Sequence, residues 1–148
     1  MIHQPTVTWP VDRVEARARL AEAAREVCLL NHVHEPKLIA AVDTAYGVDA
    51  EYVYASAVVT TFPEITEVER TMTRAKASFP YIPGLLYYRE GPAIIEALER
   101  LRCTPDVVII HGHGVAHPER CGMASQIGVL FDMPSIGCFR RILAGRHR

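Results

Sequence analysis

Two apolar runs in this chain end on residues that could do chemistry. Lys37-Leu38-Ile39-Ala40-Ala41-Val42 leads into Asp43, and Val107-Val108-Ile109-Ile110 leads into His111. Runs of this kind read as buried central strands, and in open α/β sheets sites collect beyond the carboxyl ends of parallel strands. Asp43 has a plainer reading as well, because strand ends meet turns and Asp caps turns through its own side chain. Glu90, just before Gly91-Pro92, reads equally well as an acidic group near a helix N-terminus, where the dipole favours it. His111, His113 and His117 have spacings compatible with metal ligation by imidazole, the donor set of a transition-metal hydrolase. No aspartate follows them in the His-x-His-x-Asp-His manner, and a barrel hydrolase needs more chain. The glycines on either side of His113 point to a backbone that something, such as a ligand, approaches closely.

The segment Pro80-Tyr81-Ile82-Pro83-Gly84 is the most specific feature. Two prolines stiffen it and Gly84 permits a sharp turn, so Tyr81 is presented on a rigid tip. A rigid aromatic tip is what replaces an extruded base in a nucleic-acid stack; a Pro-rich loop that packs on the core is the competing reading.

The elements that must position these residues follow from pattern. Pro10 suits a first helical turn, and residues 11–31, rich in Ala, Leu, Arg and Glu, predict a long amphipathic helix. Residues 37–42 predict a strand ending at Asp43, and residues 46–49 a turn. Residues 52–61 and 65–72 predict two further strands with period-two stretches of Val, Tyr and Thr. Residues 75–88 read as an ordered loop, 93–101 as a helix, 107–110 as a strand, 123–131 as a helix and 134–136 as a short strand. The expected fold class is α/β: a mixed sheet with a three-strand antiparallel meander, two parallel strands and flanking helices.

The 148 residues suffice for one domain with a real core, and 49% apolar with 22% charged residues describes a globular chain. No run approaches the roughly 20 apolar residues of a membrane span, and residues 1–5 show no apolar leader, so the expectation is a cytoplasmic protein. Four scattered cysteines, with no Cys-x-x-Cys pair, suit buried thiols in a reducing compartment. The net charge of −1 hides an asymmetry: residues 1–69 carry −6 and residues 70–148 carry +5. The second half is therefore the expected surface for phosphates, unless the charges cancel in space.

Taken in order, Val42-Asp43 with Ala45-Tyr46, residues 80–92, Pro105-Asp106-Val107-Val108, Gly114-Val115-Ala116-His117-Pro118, Gly122-Met123-Ala124-Ser125 and Pro134-Ser135-Ile136-Gly137 resemble the endonuclease V family, over residues 10–143. That resemblance implies a ribonuclease H-like fold and phosphodiester cleavage near inosine or deoxyinosine with Mg²⁺ or Mn²⁺. It implies Asp43 and Glu90 as catalytic metal ligands and Tyr81 as the wedge beside a flipped hypoxanthine. It draws the base pocket from Gly84, Leu86, Gly112, His117, Gly122 and Met123, with Arg89 and Arg140 meeting phosphates. Metal held by carboxylates would polarise the phosphate and steady the leaving oxygen.

Two departures qualify this. His111 stands where the family has a third metal-site aspartate; Mg²⁺ prefers hard oxygen ligands while imidazole suits softer ions, so the expected ion shifts towards Mn²⁺ and activity falls. The family also continues beyond the Ile136-Gly137 strand with more strand and helix, whereas this chain keeps Arg140 and stops at Arg148. A single domain over residues 1–148 without that last part would leave apolar surface for self-association to cover. The alternative expectation is a non-cleaving module that binds inosine-bearing strands.

Overall fold

The computed structural model describes residues 6–146. Residues 1–5, read above for the lack of a leader, and residues 147–148 lie outside it. Helix α1 spans Arg13–Glu26, strands β1, β2 and β3 span Leu38–Tyr46, Tyr52–Thr61 and Glu67–Lys76, and helix α2 spans Leu86–Glu99. Strand β4 (Val107–His111), helix α3 (Met123–Phe131) and strand β5 (Ser135–Cys138) complete the order. The five strands form one sheet ordered β3-β2-β1-β4-β5. β1 and β3 run antiparallel to β2, while β1, β4 and β5 run parallel to one another. This is the expected meander joined to parallel strands by crossover helices.

Alternation along β1 sorts its side chains by face. Ala40 and Val42 are buried while Ala41 and Asp43 are exposed. On the buried face Val53, Ala55, Ala57 and Val59 of β2 and Val108 and Ile110 of β4 continue the same core. α2 packs on this face: Thr71 and Thr73 of β3 donate their hydroxyls to the Ala97 and Ala93 carbonyls, each at 2.7 Å. α3 lies on the same side, since Ser135 of β5 donates to the Ala124 carbonyl at 2.7 Å. Among the described residues, then, all three helices sit on one side, with α1 packed against α3. No described helix is long and apolar enough to cross a membrane.

Several boundaries differ from the sequence expectation, for physical reasons. α1 starts at Arg13, not Pro10, because Asp12 caps it by accepting the Glu15 amide at 2.9 Å. It ends at Glu26, where Val27 turns extended, so residues 27–31 are not helical. β3 covers Glu67–Lys76 rather than residues 65–72: Ile65 has a left-handed φ of 56° in the turn, and pairing with β2 holds the strand as far as Lys76. α2 begins at Leu86 and runs through Pro92, whereas Gly91-Pro92 had been read as its entrance. Burial overrides those breakers, since Tyr87, Tyr88, Ala93, Ile94, Ile95, Ala97 and Leu98 all enter the core from this helix. Gly91 is tightly packed there, since a Cβ would lie 3.0 Å from the Trp9 ring. The expectation of buried thiols holds for Cys121 alone; Cys103 is half-buried, and Cys28 and Cys138 are exposed, all four as free thiols. Truncation of Leu98, 1% exposed at the centre of α2, to alanine is expected to cost about 2–5 kcal/mol. A denaturation midpoint shifted by less than 1 kcal/mol equivalent would show that α2 is not the keystone of this core.

Candidate functional site

Strand register places Asp43 and His111 side by side. Val42 pairs with Ile110 across the parallel β1–β4 ladder, so the next residue on each strand is its neighbour's partner. His111 Nδ1 lies 2.7 Å from Asp43 Oδ1. A carboxylate oxygen can only accept, so Nδ1 carries the proton and the Nε2 lone pair is left available. Both side chains stand on the open side of the sheet and line a shallow cavity of about 330 Å³ with Ser56, Ile109 and Cys138. Phe139 stacks on His111 with ring centroids 5.2 Å apart. Asp43 is not the end of its strand as expected: β1 continues to Tyr46, held by pairing with β2.

Glu90 is placed from the other side. It is the fifth residue of α2 and 6% exposed, so it does not sit just ahead of a helix as the Gly91-Pro92 signal suggested. Its carboxylate accepts from Thr44 Oγ1 at 2.9 Å and from Tyr46 Oη at 2.8 Å. Partial burial and the hydrogen bond to Glu90 push the Tyr46 phenol up to about 12, so at neutral pH it is a donor. Thr44 and Tyr46 alternate away from Asp43 along β1, which puts the backbone of the strand between Glu90 and the Asp43–His111 pair. Neither hydroxyl stands out in the sequence as a site group; the period-two spacing from Thr44 to Tyr46 is the only signal, and it is masked by the turn pattern that starts at Tyr46.

These positions test the metal expectation. Asp43 and His111 offer adjacent oxygen and nitrogen donors, a mixed pair that suits Mn²⁺ or Zn²⁺ better than Mg²⁺. Glu90 has both oxygens engaged by hydroxyls, and among the described residues no group of three or more His, Cys, Asp or Glu comes together around one point. As arranged, the nitrogen facing Asp43 is the protonated Nδ1 of His111 and both Glu90 oxygens are held by hydroxyls, so these three residues do not surround one point. Nor do the three histidines converge: His113 Nε2 bonds the Arg141 carbonyl at 2.7 Å, and His117 is buried with both ring nitrogens engaged.

Three of the expected base-pocket residues, Gly112, Gly122 and Met123, lie near the start of α3. A Cβ on Gly112 would lie 3.0 Å from Met123 Cβ, and one on Gly122 would lie 2.4 Å from the His113 carbonyl oxygen. The close approach signalled by glycines is thus made by the protein's own backbone, at Gly122 and again at Gly137, whose Cβ would lie 2.3 Å from the Gly114 nitrogen. Gly84 adopts a left-handed φ of 81°, as its place in a sharp turn required. Its carbonyl accepts from His117 Nε2 at 3.0 Å, while Nδ1 of the same ring accepts the Glu119 amide at 3.1 Å. Leu86, half-buried, opens α2 two residues later. Tyr81 stands 69% exposed at the tip.

The basic residues are distributed less simply than the charge count implied. Arg70, Lys76 and Arg100 form surface ion pairs with Glu67, Glu51 and Glu96. Arg140 is exposed beyond β5. Arg89 is half-buried and directed at backbone carbonyls of Ala77, Phe79 and Ala50.

His117 carries a pH prediction. Burial lowers its pKa from the ordinary imidazole value of 6.5, outweighing the Gly84 hydrogen bond and Glu119, which raise it. The unfolded chain therefore takes up this proton first, so the stability contributed by neutral His117 is present above pH 6.5 and is lost as pH falls through that value towards the folded pKa. The Tm is expected to fall between pH 7.5 and 5.5, and to fall less in His117→Gln; identical pH slopes would show that His117 does not carry the effect.

Comparison with known proteins gives the same picture. The family model for endonuclease V matches residues 21–148. An endonuclease V from Roseiflexus sp. (strain RS-1) is 44% identical over 140 residues, covering 94% of this chain and 62% of that protein. One from Trichormus variabilis is 38% identical, covering 99% of this chain and 66% of its own length. The crystal structure of endonuclease V from Streptomyces avermitilis superposes with a TM-score of 0.86 at 37% identity, over 93% of this chain and 61% of that one. Ciona intestinalis endonuclease V (D234N), in complex with a 23mer DNA containing an inosine followed by a ribo-adenosine, superposes with a TM-score of 0.80 at 25% identity, over 88% of this chain and 58% of that one. The chain thus spans about 62% of the length of the first of these relatives. With a mixed five-stranded sheet, an exposed Tyr81 turn and Asp43 and Glu90 on β1 and α2, the chain belongs to the endonuclease V family, with its ribonuclease H-like fold.

Proposed function

We propose that this chain recognises inosine- or deoxyinosine-containing nucleic acid and carries a weakened form of metal-dependent phosphodiester cleavage. The observation that carries the reading is the turn at residues 80–84, which holds Tyr81 exposed while its carboxyl end is fixed by the His117–Gly84 hydrogen bond. An aromatic ring on a stiff stem can enter a base stack without losing much conformational freedom, which lowers the cost of extruding the target base. Gly112, Gly122 and Met123 lie close together beyond β4, where the small glycines would let a flat base approach, although the Gly112 and Gly122 amides themselves are donated to the Cys138 and Gly114 carbonyls. Family membership and the Ciona protein bound to inosine-containing DNA support the substrate class.

Asp43, Glu90 and His111 are the residues that would hold Mn²⁺ or Mg²⁺, once the Asp43–His111 and Glu90–hydroxyl hydrogen bonds are exchanged for metal and the side chains are brought to one face of β1. Bound there, a divalent ion would polarise the phosphate. The residues themselves orient: Asp43 fixes the His111 tautomer, and Thr44 and Tyr46 fix the rotamer of Glu90. Binding without cleavage is the second reading. It is favoured by the Asp43–His111 hydrogen bond, which gives the carboxylate an internal partner where a full carboxylate set would leave it free for a cation.

The test uses inosine-bearing strands and adenosine controls with each metal. Preferential binding of inosine strands is expected, with cleavage weak or absent in Mg²⁺ and stronger in Mn²⁺, and with His111→Asp raising Mg²⁺ cleavage by at least an order of magnitude. Equal affinity for inosine and adenosine strands would remove the recognition reading; normal Mg²⁺ cleavage unaffected by His111→Asp would remove the reading of the metal site. Binding is also expected to weaken steeply with salt, as phosphate contacts release counterions.

A further inference from the structure

Arg89 was expected to meet phosphate, yet its guanidinium is aimed into the protein. Nη1 donates to the Phe79 carbonyl at 2.6 Å and, more weakly, to that of Ala77 at 3.4 Å; Nη2 donates to the Ala50 carbonyl at 3.1 Å. Two separate segments are therefore bound by one planar fork: the β1–β2 turn and the stem that leads from β3 into Pro80-Tyr81. Phe79, the residue clamped most closely, is itself 6% exposed and packs against Tyr88 with ring centroids 5.6 Å apart. The same guanidinium lies over the Tyr46 ring, 5.2 Å from its centroid, and the Tyr46 hydroxyl is one of the two donors to Glu90.

We propose that Arg89 is a positioning residue, clamping the stem of the Tyr81 turn and tying it through Tyr46 to the Glu90 carboxylate, so that base-wedge and metal-site geometry are set together. His117 holds the far end of the turn at Gly84, which leaves Tyr81 between two fixed points. The connection is short: Arg89 and Glu90 are consecutive on α2, and Tyr46 touches both, its face against one and its hydroxyl on the other. Any shift of the stem that moves the guanidinium moves the ring that orients Glu90. Arginine suits this role because its rigid fork reaches several carbonyls at once, which a lysine ammonium cannot reproduce. The clamp itself stands on geometry; its consequence for inosine recognition rests on the function proposed above.

The test compares Arg89→Lys, which keeps the charge and loses the fork, with Arg89→Met, which keeps only the length. In the full chain without nucleic acid, amide exchange at residues 77–84 is expected to quicken in both variants, while that of β1 and β4 is unchanged. With nucleic acid, the preference for an inosine strand over its adenosine control is expected to fall on the order of tenfold in both variants, because a loosened stem misplaces the wedge. The salt slope is expected to stay at its wild-type value in both. A phosphate contact predicts the reverse: unchanged exchange at 77–84, near-normal behaviour of Arg89→Lys, and equal weakening on both strands in Arg89→Met with the salt slope reduced by about one. That set of results would overturn the proposal. If the wild-type chain shows no inosine preference, the proposed function fails, and the exchange measurement still decides the clamp. If Arg89→Met does not fold, Arg89→Lys decides both.

Discussion

A carboxyl group buried under a helix is the constraint around which this structure is arranged. Glu90 has almost no contact with solvent, and moving such a group out of water is unfavourable unless it finds hydrogen-bond donors. Thr44 and Tyr46 supply them from β1, and in doing so fix how α2 lies across the meander. Because those residues alternate with Asp43, the same stretch of strand turns one face to Glu90 and presents Asp43 on the other. The position of the Tyr81 turn follows, since its stem is bound to the residue beside Glu90 and α2 begins two residues after Gly84.

His111 gives Asp43 a partner of a different kind from a second carboxylate. A second carboxylate beside Asp43 would repel it and leave both to be neutralised by a cation. An imidazole instead donates to Asp43, so the pair satisfies itself. The carboxylate thereby has an internal hydrogen-bond partner, and the proposal of a weakened metal site rests on that contact. The glycine contacts at Gly122 and Gly137 are set separately, by backbone packing around β4, β5 and α3.

Much of this was legible in the chain. Residues 52–61 and 123–131 match β2 and α3 to the residue, because each has one strong pattern, alternation in the first and a dense apolar helical run in the second. Gly84 was legible as a turn glycine and has the left-handed φ that such a turn demands. The entry of α2 was not: Gly91-Pro92 is a local signal for a boundary, and the energy that overrides it comes from burying Tyr87, Tyr88 and Ile94 against residues distant in sequence. The partners of Arg89 escaped for a similar reason, since backbone carbonyls leave no trace in side-chain identity.

Sequence alone determined the family and the α/β class, and it supplied the candidate site groups: two acids, an imidazole and a stiff aromatic turn. Those are matters of residue type and spacing, which local chain chemistry records. Tertiary structure decided which of them meet. Parallel register brought Asp43 to His111, and helix-on-sheet packing carried Glu90 to the opposite side of β1, in reach of Thr44 and Tyr46. The same packing turned Arg89 inward onto the stem of the turn. Such pairings depend on which face of an element is buried and on the register between strands, quantities set by the whole core and carried by no single segment.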